Sequence, residues 1–129
     1  MEYVTLVSGL ALLQYIAFGI LVGKARGRYG VKAPAITGND VFERYFRVQQ
    51  NTLELLVVML PAMWLFARYV SAGWAAGLGL VYCVGRLVYL RSYVADPAGR
   101  SAGFGLSVLP IMAMLIGAIV GAGLALLQG

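Results

Sequence analysis

Four runs of apolar residues, each long enough to cross a bilayer, dominate the chain. Tyr3 to Gly23 and Phe104 to Gln128 carry no charge, and a helix of about 20 such residues spans roughly 30 Å of hydrocarbon. Val48 to Ala67 and Val70 to Leu90 have the same reach but each holds one charged residue, Glu54 in the first and Arg86 in the second. The pattern predicts an all-α integral membrane four-helix bundle, a single domain over residues 1–129, with spans near 3–23, 48–68, 70–92 and 104–127.

Turn and cap signals divide these runs. Lys24 to Asn39 contains Gly27, Gly30, Pro34 and Gly38 among its cations, the composition of an irregular loop. Asp40 followed by Glu43 fits a capping box with Asp as the cap, so the second helix is expected to begin in water and carry Arg44 and Arg47 towards the membrane. Pro61 is expected to kink that helix, because the Val57 carbonyl loses its partner. A short turn around Ser71 to Gly73 makes helices 2 and 3 an antiparallel hairpin, and Asp96-Pro97-Ala98-Gly99 is a strong turn signal before helix 4. The pairs Gly73/Gly77 and Gly117/Gly121 have the four-residue spacing that permits close helix approach in lipid.

Composition agrees with the pattern: 61% of residues are hydrophobic and 12% charged, against about 25% charged in soluble domains. The net charge of +5 alone would fit a nucleic-acid binder, but nine of the ten cations lie on the first and third connections or beside them, leaving only Arg68 at the other end. That asymmetry is membrane topology rather than a nucleic-acid footprint. It predicts segments 24–47 and 93–103 in the cytoplasm and both termini on the far side, in what is expected to be a bacterial inner membrane. The Met-Glu-Tyr start has no basic region and its apolar run exceeds the ~7–15 residues of a signal peptide, so it reads as a retained span. The chain has no histidine and one cysteine, Cys83 in mid-span, which removes an intramolecular disulfide, the common zinc ligand sets and histidine-based catalysis. Cys83 is expected to be a small packing residue.

The chemistry is concentrated in two polar stripes. At about 100° per residue, Arg47, Asn51 and Glu54 share a narrow sector of helix 2, continued towards the cytoplasm by Asp40 and Arg44. Tyr82, Arg86, Tyr89 and Tyr93 form a single stripe on helix 3 at the same membrane level. A charge within hydrocarbon costs at least about 2.5–3.5 kcal/mol, so such groups pair, line a cavity or bind something. One solution is a structural network in which Arg47 or Arg86 pairs with Glu54. The balance of charges favours another: Arg47, Arg86 and Arg100 face the single carboxylate Glu54. Surplus guanidinium with tyrosine hydroxyls and an amide suits a small polyanion, since arginine binds carboxylate through two parallel hydrogen bonds. A lone Glu54 then takes an ammonium group, and the implied ligand is amino-acid-like with more negative charge than positive.

The run Phe42-Glu43-Arg44-Tyr45-Phe46-Arg47-Val48-Gln49-Gln50-Asn51-Thr52-Leu53-Glu54 resembles the second-helix signature of the MAPEG family, the membrane-associated proteins in eicosanoid and glutathione metabolism. The resemblance continues through Gly85-Arg86-Leu87-Val88-Tyr89, Tyr93 and Arg100-Ser101. It implies a homotrimer of four-helix subunits with glutathione at the cytoplasmic end of each subunit interface. Glutathione has two carboxylates, one ammonium and a thiol, in agreement with the ligand inferred from the charges.

Carried over by position, the resemblance implies that Arg47, Asn51, Glu54, Arg86, Tyr89 and Tyr93 hold glutathione, with Glu54 on the γ-glutamyl ammonium. Gln49 points away from that face and would reach the neighbouring subunit's site, and Arg26 matches a loop arginine that contacts glutathione. Arg100 would stabilise the thiolate, with Ser101 as a thiol hydrogen-bond donor; a free thiol, with a pKa of about 8.5, is mostly protonated at neutral pH. Leu55, Gly27, Gln50 and Phe104 depart from residues of the leukotriene and prostaglandin synthases of the family, so a bacterial-type glutathione transferase is expected, conjugating glutathione to lipophilic electrophiles that enter from the bilayer, with peroxide reduction as a second activity. Membrane lipid and further copies of the chain are the expected partners. The alternatives are a non-enzymatic lipid- or glutathione-binding protein of the same family and a small multidrug transporter. The latter depends on a first-helix carboxylate that Tyr3 to Gly23 lacks.

Overall fold

The computed structural model describes all residues, Met1–Gly129. Four helices run up and down: α1 over Glu2–Tyr29, α2 over Asp40–Tyr69, α3 over Ala72–Ala95 and α4 over Ser101–Gln128, with a single 3-10 turn at Pro97–Gly99 before α4. All four are long and apolar enough to cross a membrane. Helices α2 and α3 form the central pair; α1 packs on one side of it and α4 on the other. The C-terminal ends of α1 and α3 and the N-terminal ends of α2 and α4 therefore meet at one end, where the arginines gather.

Only 29 of 129 residues are buried, while Leu6, Leu13, Val57, Leu109 and Leu126 are exposed. A surface this apolar requires lipid or other protein against it. Between helices, lipid supplies no hydrophobic drive, so small residues that let backbones touch decide the packing. A Cβ on Gly85 would stand 2.7 Å from the Leu106 carbonyl carbon and the Ser107 nitrogen, and one on Gly103 would collide with the backbone of Tyr89. These are reciprocal contacts: each glycine meets the residue one turn along from the other, which locks α3 and α4 in one register. Of the glycine pairs expected from spacing, Gly117 and Gly121 do receive Phe66 and Tyr69 of α2 and Val70 just beyond it, but Gly77 has nothing within 4 Å and Gly73 meets only Ser71. Four-residue spacing marks a smooth stripe, and the helix rotation set by the tighter Gly85 and Gly103 contacts turns the Gly73/Gly77 stripe outwards.

Several local expectations change. The loop expected from Lys24 shrinks to residues 30–39, because α1 continues to Tyr29 and ends on Gly30 in the left-handed region, φ 71°. Gly27 lies within the helix, which carries its cations beyond the apolar span. The cap of α2 is Asn39, not Asp40: its side chain accepts from the Phe42 amide at 3.0 Å, and Glu43 reaches back to the Gly38 amide at 3.1 Å. Cap and carboxylate thus bracket the helix start one residue wider than a capping box. Pro61 lies inside α2, which continues as a helix on both sides of it. Ser71 caps α3, so the hairpin turn is only Val70–Ser71. Cys83 is buried in the apolar core.

Candidate functional site

Arg86 is the largest fully buried side chain of the protein, with no exposed surface. Its Nε donates to Ser107 Oγ at 2.8 Å, and its Nη1 donates to Asn51 Oδ1 at 2.7 Å and to Thr52 Oγ1 at 3.3 Å. Both hydroxyls are oriented for this task. Ser107 gives its own proton to the Gly103 carbonyl at 2.7 Å and Thr52 gives its proton to Val48 at 2.8 Å, so each turns lone pairs towards the guanidinium. The guanidinium carbon lies 4.4 Å from the Tyr89 ring centroid and 6.0 Å from that of Tyr82, and such ring faces attract cations. Arg86 ties α2, α3 and α4 together through neutral oxygens and aromatic faces, and no carboxylate pairs with it.

This changes the reading of both stripes. The α3 stripe is internal, with Tyr82, Arg86 and Tyr89 buried and Tyr93 half-buried. The α2 stripe meets it at Asn51 and again at the charged end, where Asp40, Arg44 and Arg47 share a cleft with Tyr93; Arg47 and Glu54 are exposed on the single chain. The alternative of a structural pair between Glu54 and an arginine is not formed in this chain, where the one ion pair joins the N-terminal amine to Glu2 at 3.4 Å. Arg86, expected among the residues that hold the ligand, is a buried brace in this chain: its Nε and Nη1 are taken by protein oxygens, and Nη2 is buried without a partner. Sequence reasoning missed Ser107 and Thr52, the brace's hydroxyl acceptors. The available signal was Ser107 itself, a polar residue within the last apolar run, four positions after Gly103.

From the brace an aromatic column leads to the charged end. The Tyr89 and Tyr93 rings are stacked, 5.4 Å apart and 19° from parallel, and Phe104 of α4 flanks Tyr89 at 6.3 Å. Tyr93 then lines an open cleft of about 530 Å³ whose other walls include Asp40, Arg44, Arg47 and Pro97. The Tyr89 hydroxyl lies within electrostatic reach of Arg86, Arg47 and Arg100. Arg100 is exposed at the cap position of α4, and Ser101 is the first residue of that helix, also exposed. Arg44 is committed elsewhere, donating to the Val94 and Ala95 carbonyls at 3.0 and 3.4 Å and so capping the C-terminal end of α3. The fold thus brings Arg47, Asn51, Tyr89, Tyr93 and Arg100 to one end of the bundle, with Ser101 next to Arg100 in the chain and Glu54 two turns further into the span.

Two further candidate residues lie outside this cleft. Arg26 donates to the Ala35 carbonyl at 2.6 Å and to Val31 at 3.4 Å, and stacks over Phe42 at 4.8 Å. It straps the loop that extends from α1 and is absent from the cleft. Gln49 packs its amide on α1, where a Cβ on Gly19 would stand 3.0 Å from its Nε2. In this chain it sits in the α1–α2 seam rather than projecting outwards.

The MAPEG family profile matches residues 4–120, nearly the whole chain. The chain belongs to the MAPEG family. It is 45% identical over 115 residues to an uncharacterized protein of Synechocystis, covering 89% of this chain and 84% of that one. It is 42% identical over 109 residues to human microsomal glutathione S-transferase 2, covering 84% and 74% of the two chains. To the leukotriene C4 synthase of Cavia porcellus it is 36% identical over 93 residues, 72% and 62% of the respective lengths. Four membrane-spanning helices in a MAPEG chain make this an integral membrane protein, and the family includes enzymes.

Proposed function

We propose that this MAPEG chain is a membrane glutathione transferase that works as a homotrimer. The observation that carries the reading is the unbalanced charge at the end of the bundle. Arg47 and Arg100 have no carboxylate partner, and Glu54 stands exposed and unpaired within a membrane span. Glutathione supplies the missing complement: a carboxylate goes to Arg47 and the thiolate to Arg100, with Asn51 and Tyr93 as hydrogen-bonding groups, and its ammonium goes to Glu54. Leaving Glu54 against lipid would cost at least about 2.5–3.5 kcal/mol, which supports a second copy of the chain packing over this face. Three copies are what the family resemblance implies.

In the reaction, Arg100 stabilises the thiolate as the thiol proton leaves for solvent, and Ser101 donates a hydrogen bond to the sulfur. The sulfur pair then forms a bond to the electrophilic carbon of a lipophilic substrate, and the leaving group departs with the bonding pair. The exposed apolar face of α4, with Phe104 and Leu109, supports entry of that substrate from the bilayer. The distribution of cations supports a cytoplasmic position for this end, where glutathione is present.

The test is conjugation of glutathione to an aryl halide by the purified protein in detergent, wild type against Arg100→Ala, together with the ultraviolet absorbance of bound thiolate. Turnover and thiolate signal are expected in the wild type and are reduced in the variant. Absence of both from the wild type would sink the reading, and glutathione binding without turnover would leave a binding protein.

A further inference from the structure

A second basic site lies on the other flank of the charged end, between α1 and α3. Two adjoining hollows, of about 170 and 290 Å³, share Leu21 and Tyr45 as common walls. Lys24 and Arg28 line the first and Arg91 the second, and all three are exposed. Arg28 lies over the Tyr29 ring at 5.6 Å. Leu90 and Val94 form the apolar side of the second hollow, and below them Leu80, Val84 and Leu87 continue as an exposed apolar track along α3.

We propose that this groove binds an anionic phospholipid, with its phosphate among Lys24, Arg28 and Arg91, its headgroup against Tyr45, and an acyl chain along the α3 track. Basic pockets between membrane helices suit such headgroups, because the cations neutralise the phosphate while the tails stay in hydrocarbon. Helix C-terminal carbonyls would ordinarily repel an anion. Here those of Val94 and Ala95 are already taken by Arg44. A second copy of the chain is a poorer occupant, since the carboxylates are used or elsewhere: Glu2 pairs with the N-terminus, Glu43 accepts from Gly38, Asp96 accepts from Ala98, and Asp40 lines the other cleft. Glu54 alone is left, deeper in the span. The inference stands apart from the glutathione reading, for none of its three cations belongs to that site.

The test is native mass spectrometry of the full-length protein in detergent, offered phosphatidylglycerol or phosphatidylcholine with identical acyl chains. The wild type is expected to retain phosphatidylglycerol in preference, with the preference weakened by salt. The triple variant Lys24→Gln, Arg28→Gln, Arg91→Gln is expected to lose it, by roughly fivefold for each cation removed. A double variant Lys32→Gln, Arg68→Gln lowers net charge elsewhere and is expected to keep the preference, as is a wild-type sample in excess glycerol phosphate, which lacks the tails. Equal retention of both lipids by the wild type would overturn the proposal, as would an undiminished preference in the triple variant. Dissociation of the assembly in the triple variant with unchanged lipid selectivity would also overturn it, in favour of a contact between copies.

Discussion

The Arg86 Nη1 to Asn51 Oδ1 hydrogen bond, at 2.7 Å, sets which way the Asn51 amide faces. With its oxygen accepting from the buried cation, Asn51 keeps its NH2 donors free, which suits a carboxylate. Arg86 is thereby a positioning residue, holding the Asn51 amide and packing on the Tyr89 ring. Asn51→Asp, which replaces those donors with acceptors, is expected to weaken glutathione binding roughly tenfold or more, at about 1.4 kcal/mol per tenfold for a lost charged hydrogen bond of about 1.5–3 kcal/mol. Isothermal titration with glutathione checks it.

The brace itself is open to test at Ser107. Ser107→Ala leaves the Nε of a wholly buried guanidinium without its acceptor, which is expected to cost about 1–3 kcal/mol and to lower the midpoint of thermal unfolding in detergent. Arg86→Lys is expected to be no milder, because a single ammonium cannot reproduce the fork that meets Ser107 and Asn51 together. A lysine variant as stable as the wild type would show that the fork geometry is unimportant.

The α3–α4 register gives a comparison between glycines. Gly85→Ala drives a methyl into the Leu106–Ser107 backbone at 2.7 Å, and overpacking of this kind is expected to destabilise by about 1–3 kcal/mol. Gly77→Ala meets nothing within 4 Å and is expected to be neutral or slightly stabilising in the single chain. Measured unfolding of the two variants separates them, and a strong effect at Gly77 would place a second copy of the chain against that stripe.

Arg47 and Arg100 are expected to divide binding from chemistry. Arg47→Ala should chiefly raise the KM for glutathione, by about ten- to a hundredfold for a lost charged contact. Arg100→Ala should chiefly lower kcat. Because the thiolate is the reactive form, kcat with glutathione saturating is expected to rise with pH through an apparent pKa below the about 8.5 of a free thiol. Losing the Arg100 cation removes the bias towards the anion, so the whole profile moves to higher pH. An unshifted profile in the variant would assign Arg100 to headgroup anchoring.

Glu54 can be probed through the ligand. Glu54→Gln is expected to weaken glutathione binding about tenfold, and an analogue lacking the γ-glutamyl amino group should bind wild type and variant alike. A variant that still distinguishes the two ligands would place the ammonium elsewhere.

The amino-acid sequence by itself determined what depends on local chemistry and helical phase. The apolar runs defined four spanning helices, and the cations marked one end. The spacing of Tyr82, Arg86, Tyr89 and Tyr93 placed them on one face, which the structure retains as the internal stripe ending at the cleft. Only the tertiary structure decided which side of each stripe faces inwards. Helix rotation and stagger are fixed by contacts between distant residues, above all Gly85 on Leu106–Ser107 and Gly103 on Tyr89. Those contacts bring Ser107 to Arg86 across 21 positions of chain and make that arginine a brace between helices. The same packing leaves Glu54 facing outwards and turns Gln49 onto α1. A carboxylate in a membrane span looks alike in sequence whether it is buried, paired or waiting for a neighbour, because its cost depends on what surrounds it in space.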